Sequence, residues 1–221
     1  MLKTPESGSV GDKVLRRIKN DIIFGLLKPG QKLRLEALRQ QYGVSVTTLR
    51  EILNGLAAIG FVHAEGQKGF EVAPVSVSDL KEIADLRLLL ETHALKLSFA
   101  HGDIDWEAGV VGAHYKLRAA ETRRLTGDKT IQEDWKRADW EFHRALIQAC
   151  GSATLLETHA TIFGKFLRYQ MQTDAIRGKA AAEEHLALLE AAKTRDFETA
   201  DKLLRQHIMA GVEHNLSTMG S

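Results

Sequence analysis

The chain has 221 residues, 44% of them hydrophobic and 6% aromatic, with a formal net charge of +1. This length allows one large or two modest domains, and the apolar fraction is enough for a packed core. The balanced charge argues against a chain that binds nucleic acid along its whole length, and no apolar run approaches the ~20 residues that cross a bilayer.

The N-terminal segment and the cysteine content both indicate a cytoplasmic protein. Residues 1–12 are polar and lack the apolar core of a signal peptide. Cys150 is the single cysteine, so no disulfide can form within the chain, and a reducing compartment fits. We expect this thiol to be buried and inert.

The first part of the chain predicts two helices after a disordered lead-in at residues 1–11. Apolar residues recur at helical spacing from Val14 to Ile23, and this helix should stop at Gly25. A turn at residues 28–30 follows, and a second short helix leads to Tyr42.

The next segment predicts a tight turn and a third helix with an exposed polar start. Gly43 can supply the turn, and Ser45 is a good N-cap. The first helical turn then exposes Thr47, Thr48 and Arg50. The buried face is formed by residues at helical spacing, Leu49, Ile52, Leu53 and Leu56. Such a helix can enter the major groove of DNA.

Two short extended runs, 61–64 and 70–73, flank a loop with two glycines at 65–69. This pattern indicates a β-hairpin. Three helices and a hairpin wing predict a winged helix-turn-helix domain over residues 1–75. Its charge fits DNA contact, because residues 1–75 hold 11 Lys and Arg against 7 Asp and Glu, whereas the remainder holds 19 against 22.

The N-terminal segment resembles the DNA-binding domain of the GntR family of bacterial transcriptional regulators. The resemblance rests on residues 22–33, on the turn and helix at 42–53, and on the segments 60–62 and 68–72. One position departs from the family pattern, because Val46 stands where an arginine usually follows the serine of the turn. That departure should shift DNA contact toward other basic residues and the wing.

Eight residues are our candidates for contact with DNA. The threonines at the helix start would contact a phosphate or a thymine methyl group, and the arginines would contact a phosphate or a guanine. The wing residues would contact the DNA backbone or the minor groove. The alternative is that the threonines only cap the helix and that Arg50 pairs with a nearby glutamate. The candidates are Arg34, Arg39, Thr47, Thr48, Arg50, His63, Gln67 and Lys68.

After a linker at residues 74–78, the remainder predicts an all-α bundle of six to seven helices, as a second domain over residues 76–221. Helical spacing is nearly continuous, proline is absent, and glycines at positions 102, 127, 151 and 178 mark the breaks. The fold class is therefore mainly α. The expected helices span 79–100, 104–125, 128–149, 153–173, 179–194 and 197–216.

Four residues of this second domain form a candidate metal site. Asp139 and His143 are four residues apart, so they share one helix face, and His185 and His207 lie among apolar neighbours on later helices. Three imidazoles and a carboxylate suit a divalent ion, zinc first, with nickel, cobalt or manganese as alternatives. The competing interpretation is four hydrogen-bonded core residues, which we adopt for His93, His101, His114, His159 and His214.

Residues 79–216 resemble the FCD effector domain of the FadR subgroup, which implies the same four ligands and a small organic acid as effector. The segment 85–91 resembles its first helix, whereas Gly151-Ser152 replaces the usual Gly-Asn. Arg87 is our candidate for holding the acid, because guanidinium pairs bidentately with carboxylate. A structural salt bridge to Glu91 is the alternative, and Arg137, Arg144 and Arg168 are weaker candidates.

These elements predict a homodimer that binds a palindromic operator. The resemblance to similar regulators implies that the effector releases the protein from DNA, and thus that it is a repressor. Two rivals remain. In one, the metal itself is the signal. In the other, the four-residue site is the metal centre of an enzyme, although no His-Glu-x-x-His motif or glycine-rich phosphate loop accompanies it.

Overall fold

A computed structural model of the chain describes residues 9–64, 66, 69–173 and 175–219. The chain forms two compact units that divide between Ser76 and Val77. Within the described residues, no helix is both long enough and apolar enough to cross a membrane. The disordered lead-in expected at residues 1–11 lies outside the described part up to residue 8. It was wrong for Val10 and Gly11, which are helical because Ser9 and Asp12 form a capping box.

In the part of the N-terminal unit that the structure describes, there are three α-helices, α1 (Val10–Ile23), α2 (Leu35–Tyr42) and α3 (Val46–Ala58). Gly43 ends α2 with a φ of 69°, a left-handed conformation that glycine adopts without steric cost. Ser45 then caps α3, because its hydroxyl accepts a hydrogen bond of 3.1 Å from the Thr48 amide. The predicted turn and helix start are confirmed here.

A three-stranded antiparallel sheet completes this unit, in the order β1 (Lys32–Leu33), β3 (Phe70–Val72), β2 (Val62–Ala64). The predicted hairpin is β2 and β3, in which Val62 pairs with Val72. Strand β1 was not predicted, because two residues are too few to show the alternation that identifies a strand. The winged helix-turn-helix architecture is confirmed.

The described residues of the second unit form six α-helices, in agreement with the predicted all-α class. A 3-10 turn at Lys129–Ile131 precedes the third of them, so this helix begins four residues after the predicted start at 128. The helices are α4 (Val77–His101), α5 (Ile104–Leu125), α6 (Gln132–Ile147), α7 (Ala153–Gln170), α8 (Lys179–Lys193) and α9 (Phe197–Met219).

The break between α4 and α5 depends on one glycine. A Cβ atom on Gly102 would lie 2.5 Å from the Trp106 ring and 2.7 Å from the Ser98 carbonyl oxygen. Asp103 then caps α5 by accepting a hydrogen bond of 2.9 Å from the Trp106 amide. The close turn lets the Trp106 ring pack in the core, where Cys150 is also buried, as expected.

Candidate functional site

The start of α3 exposes part of the predicted DNA-contact set. Thr47 and Arg50 are exposed, and Arg50 has no ion-pair partner among the residues that the structure describes. Thr48 is half-buried, and its Oγ1 lies 3.0 Å from the Ser45 Oγ, so this hydroxyl takes part in the cap. The capping alternative therefore fits Thr48, whereas the glutamate-pairing alternative does not fit Arg50.

The other basic candidates are also at the surface. Arg34 is exposed immediately before α2, and Arg39 is exposed but paired with Glu36 at 2.7 Å. His63 is exposed on β2. Gln67 and Lys68, the predicted wing contacts, lie outside the described residues.

The four residues of the candidate metal site come together inside the second unit. Asp139, His143, His185 and His207 are all buried, and one ligand atom from each lies within 4.8 Å of the others. They come from α6, α8 and α9, so the helix packing, and not local sequence, assembles the set.

A glutamate holds the Nδ1 atom of each imidazole. The Glu91 carboxylate contacts Nδ1 of His143, Glu121 lies 2.7 Å from Nδ1 of His185, and Glu184 lies 2.7 Å from Nδ1 of His207. A carboxylate behind the ring fixes its tautomer and orientation and makes its other nitrogen a better ligand. All three imidazoles can therefore present Nε2 to the centre of the cluster.

The protonation of the three histidines differs. Burial lowers the pKa of His143, and it lowers that of His207 to about 3 despite the Glu184 contact. Burial also acts against a charge on His185, but Asp139 and Glu121 outweigh it and raise the pKa of His185 to about 9. At neutral pH, His185 thus keeps a proton unless a metal cation replaces it.

Unpartnered polar atoms at the centre of the cluster fit a metal ion. Asp139 Oδ1, His143 Nε2 and His185 Nε2 are buried with no hydrogen-bond partner in the described part of the chain. His185 Nε2 lies 3.3 Å from Asp139 Oδ1, close enough for an ionic contact but without hydrogen-bond geometry. Leaving such atoms unpaired costs about 1–3 kcal/mol each, which coordination would recover.

Arg87 lies in the wall of the cavity that contains Asp139, His185 and His207. Its Nε donates to Glu91 at 2.8 Å, and its guanidinium lies 4.2 Å from the centre of the Phe163 ring. Arg87 therefore forms the salt bridge of the alternative interpretation, and it also lines a cavity, as its predicted role in effector binding requires. Arg137 is paired with Glu133 at the surface, whereas Arg168 is buried.

The five histidines assigned to the core have three different environments. His114 and His159 are buried as expected, and His159 Nε2 lies 3.1 Å from Glu91. His214 is half-buried in the cavity wall. His93 and His101 are exposed, so the core assignment was wrong for both, because apolar neighbours on a helix do not fix its rotation.

Sequence reasoning missed the three glutamates that orient the imidazoles. Only Glu91 had a signal, the four-residue spacing to Arg87. Glu184 directly precedes His185 in the sequence but contacts His207. Glu121 is 64 residues from its partner His185. A spacing rule could not have paired either of them.

Comparison with protein families matches both units. Residues 11–72 match the model of bacterial regulatory proteins of the gntR family, and residues 82–210 match the FCD domain. The chain is 36% identical to the HTH-type transcriptional regulator BphR of Paraburkholderia xenovorans, with 92% of this chain and 84% of BphR covered. It is 31% identical to the HTH-type transcriptional repressor GlaR of Escherichia coli, with 89% and 91% covered.

Solved structures show the same fold. Escherichia coli McbR/YncC gives a TM-score of 0.82 at 24% identity, covering 96% of this chain and 99% of McbR. A GntR-type regulator from Rhodococcus sp. RHA1 gives 0.78 at 21% identity, with 95% and 99% covered. These two structures show the fold, whereas the family matches and the curated relatives show that the chain belongs to the GntR family of bacterial regulatory proteins, carries an FCD domain, and is a DNA-binding transcriptional regulator and not an enzyme.

Proposed function

We propose that this regulator represses transcription from a palindromic operator, binds a divalent metal in the second unit, and leaves DNA when a small carboxylic acid occupies the same cavity. The buried set Asp139, His143, His185 and His207 carries this proposal. The printed name of GlaR supports repression, because it describes that relative as a repressor.

The donor set favours zinc, with nickel, cobalt or manganese as alternatives. Ligand atoms around such an ion lie at most about 4.4 Å apart, since each bond is about 2.0–2.2 Å long. The 4.8 Å spread of the four atoms is close to that limit, so small side-chain shifts suffice. Four protein ligands leave a coordination position for an acid in a five- or six-coordinate site.

The acid would bind beside the ligand set, where Arg87 lines the cavity next to His185 and His207. Its carboxylate would take the remaining coordination position and one outer nitrogen of the Arg87 guanidinium, because the other, Nη2, lies 3.3 Å from His143 Nδ1. An effector changes operator affinity only by binding the two states of the regulator unequally. The acid must therefore fit the released state better than the DNA-bound state.

For DNA contact, we assign the main roles to Thr47 and Arg50 on α3, with Arg34, Arg39 and His63 as supporting contacts. The exposure of these side chains supports this choice. Thr48, Gln67 and Lys68 complete the proposed set. A repressor of bacterial genes would act in the cytoplasm, where the operator is.

The homodimer has a candidate seam on α5. Five exposed, uncharged side chains recur along this helix, and the acidic Asp105 and Glu107 precede the basic Lys116 and Arg118. An antiparallel copy of α5, related by a two-fold axis near Val111, would pair the acidic half of each helix with the basic half of the other. The stripe consists of Ile104, Ala108, Val111, Tyr115 and Ala119.

A charge on the seam tests this part of the proposal. Val111→Glu places two carboxylates near the two-fold axis, so we expect monomers by light scattering at micromolar concentration. Leu186→Glu is the matched control, because Leu186 is 46% exposed on α8 and Val111 is 43% exposed. A Val111→Glu protein that stays dimeric would place the interface elsewhere.

Metal content tests the ligand set. We expect about one divalent ion per chain by inductively coupled plasma mass spectrometry, and its loss in His143→Ala/His185→Ala. His159→Ala is the control, because His159 is equally buried and contacts Glu91 but lies outside the set. A wild-type protein that takes up no zinc, nickel or manganese would refute the metal site.

Operator binding separates the acid-sensing proposal from a direct metal sensor. For the proposed function, small acids should release the metal-loaded protein from DNA, whereas a chelator alone should not. Release by the chelator, with the fold retained in circular dichroism, would make the ion itself the signal. Unfolding on chelation would identify a structural metal.

A further inference from the structure

The exposed face of α3 carries a side-chain amide that no contact within the described residues explains. Asn54 is exposed, and its amide makes no hydrogen bond to any residue that the structure describes. It follows Thr47 by seven residues, which is close to two full turns, so both side chains lie on the same face. The buried Leu56 is turned by about 160° from Asn54. Asn54 is therefore available to a partner outside the chain, at the surface that we assign to DNA.

The residue that follows Asn54 is a glycine that the fold does not require. Gly55 lies within α3, and its φ is not positive. A Cβ atom there would touch only Leu15, at an ordinary contact distance of 3.9 Å. Glycine inside a helix is less stable than alanine, and one of its uses is to let a ligand approach the backbone closely. Gly55 thus indicates that a ligand approaches α3 beside Asn54.

The charge of α3 indicates which kind of DNA contact this helix makes. Its 13 residues include one cation, Arg50, and one anion, Glu51, so the helix is neutral. Attraction to phosphate needs basic residues, and the N-terminal unit exposes these at other positions, such as Arg34. A neutral helix with unpaired polar side chains is better suited to reading base edges, which depends on hydrogen bonds.

The chemistry of the amide selects one base. A side-chain amide holds N–H donors and a carbonyl acceptor side by side. Adenine presents the matching pair in the major groove, because its N7 accepts a hydrogen bond and its N6 amino group donates one. Glu51 is exposed on the same face, but a carboxylate only accepts hydrogen bonds and so suits cytosine. Of the two, Asn54 is the residue that fits adenine.

From these observations we propose that Asn54 determines part of the operator sequence by forming two hydrogen bonds with an adenine in the major groove. Its amide nitrogen donates to N7, and its carbonyl oxygen accepts from N6. Asn54 lies about 10 Å along α3 from Thr47, so the adenine is within about three base pairs of the group that Thr47 contacts. This inference rests on the proposed role of α3 in DNA contact, to which it adds the base that is read.

Selection from random DNA duplexes tests the proposal with the full chain. Wild type and Asn54→Ala each select a set of preferred sequences. We expect wild type to prefer adenine at one position where Asn54→Ala accepts any base, with the preferences unchanged elsewhere. Asn54→Ala should also bind the wild-type operator about 10- to 100-fold more weakly in fluorescence anisotropy, because a bidentate base contact is lost.

A change of one atom in the DNA tests the same contact from the other side. Replacement of the selected adenine by 7-deazaadenine removes the N7 acceptor and keeps the base pair. Wild type should bind this duplex about 3- to 10-fold more weakly than the unmodified one, because one hydrogen bond is lost. Asn54→Ala should bind both duplexes equally, since it lacks the donor.

Two variants and one stability measurement control for indirect effects. Gln206→Ala removes an exposed side-chain amide from α9, so it should select and bind like wild type. Asn54→Gln keeps the amide and should still prefer adenine. Because Asn54 is exposed and alanine favours a helix, Asn54→Ala should be at least as stable as wild type in urea, so its weaker binding would not reflect unfolding.

The outcomes separate the role of Asn54 from that of α3. If Asn54→Ala selects the same sequences as wild type, or binds all duplexes more weakly by the same factor, Asn54 reads no base. An unchanged affinity of wild type for the 7-deazaadenine duplex also refutes the contact. If Arg50→Ala loses affinity and Asn54→Ala does not, only the role of Asn54 fails. If both variants bind like wild type, the proposed DNA-contact set on α3 fails with it.

Discussion

The two units place their candidate binding residues in opposite ways. In the N-terminal unit, Thr47 and Arg50 are exposed on one face of α3, and the opposite face of the same helix is apolar and buried. In the second unit, Arg87 and Glu91 are almost fully buried, each with a charged partner. A surface site can therefore change with little effect on folding, whereas in the buried site binding and stability depend on the same atoms.

The largest expected effect tests the buried side of this comparison. Glu91→Ala leaves Arg87 as an unpaired buried charge and removes a contact of both His143 and His159. We expect a loss of about 3–5 kcal/mol in the free energy of unfolding, measured with urea. Glu133→Ala breaks a surface pair with the same four-residue spacing, so it should change stability by less than about 1 kcal/mol. Equal losses in both would remove the distinction between buried and exposed pairs.

The next effect concerns the residues behind the ligands. Glu121→Gln weakens the support of His185 at Nδ1, so zinc affinity should fall about 10- to 100-fold in competition with a chelating dye. Glu190→Gln is the control, because this glutamate on α8 is exposed and pairs with Lys193. An unchanged zinc affinity in Glu121→Gln would mean that His185 needs no support from Glu121.

The third effect tests the exposed site. An operator is first selected from random DNA duplexes with the wild-type protein, and Arg50→Ala should bind this operator about tenfold more weakly. Fluorescence anisotropy measures this effect, and the free energy of unfolding should change by less than about 0.5 kcal/mol. Arg205→Ala, a surface substitution on α9, should bind the operator like wild type. A large loss of stability in Arg50→Ala would show that this surface, too, supports the fold.

The smallest effect concerns the turn between α2 and α3. Gly43 has a φ of 69°, and nothing lies within 4 Å of a Cβ built there. Gly43→Ala should therefore cost only the strain of the left-handed conformation, about 1–2 kcal/mol in urea unfolding. Gly55→Ala, within α3, is the control and should be neutral or slightly stabilising. Equal stability of the two variants would mean that the turn relaxes without strain.

Local signals in the sequence were enough for most of the architecture. Glycines at 102, 127, 151 and 178 marked the helix ends, and the spacing of Asp139 and His143 placed two ligand candidates on one face. The two-residue strand β1 was not predicted, because a single period of alternation cannot be distinguished from a turn or loop. The rotation of each helix about its axis could not be predicted from the sequence. For this reason His93 was assigned to the core although it is exposed, and Lys136 was not recognised as buried.

Helix α4 begins at Val77, directly after the division between the two units, and runs 25 residues to His101 without a break. Arg87 and Glu91 stand on this same helix, ten and fourteen residues from its start. At 1.5 Å per residue, the cavity is thus about 15–20 Å from the linker along a single rod. Because a helix resists compression, an effector that moved Arg87 along the axis of α4 would move the start of this helix at the linker by the same continuous element.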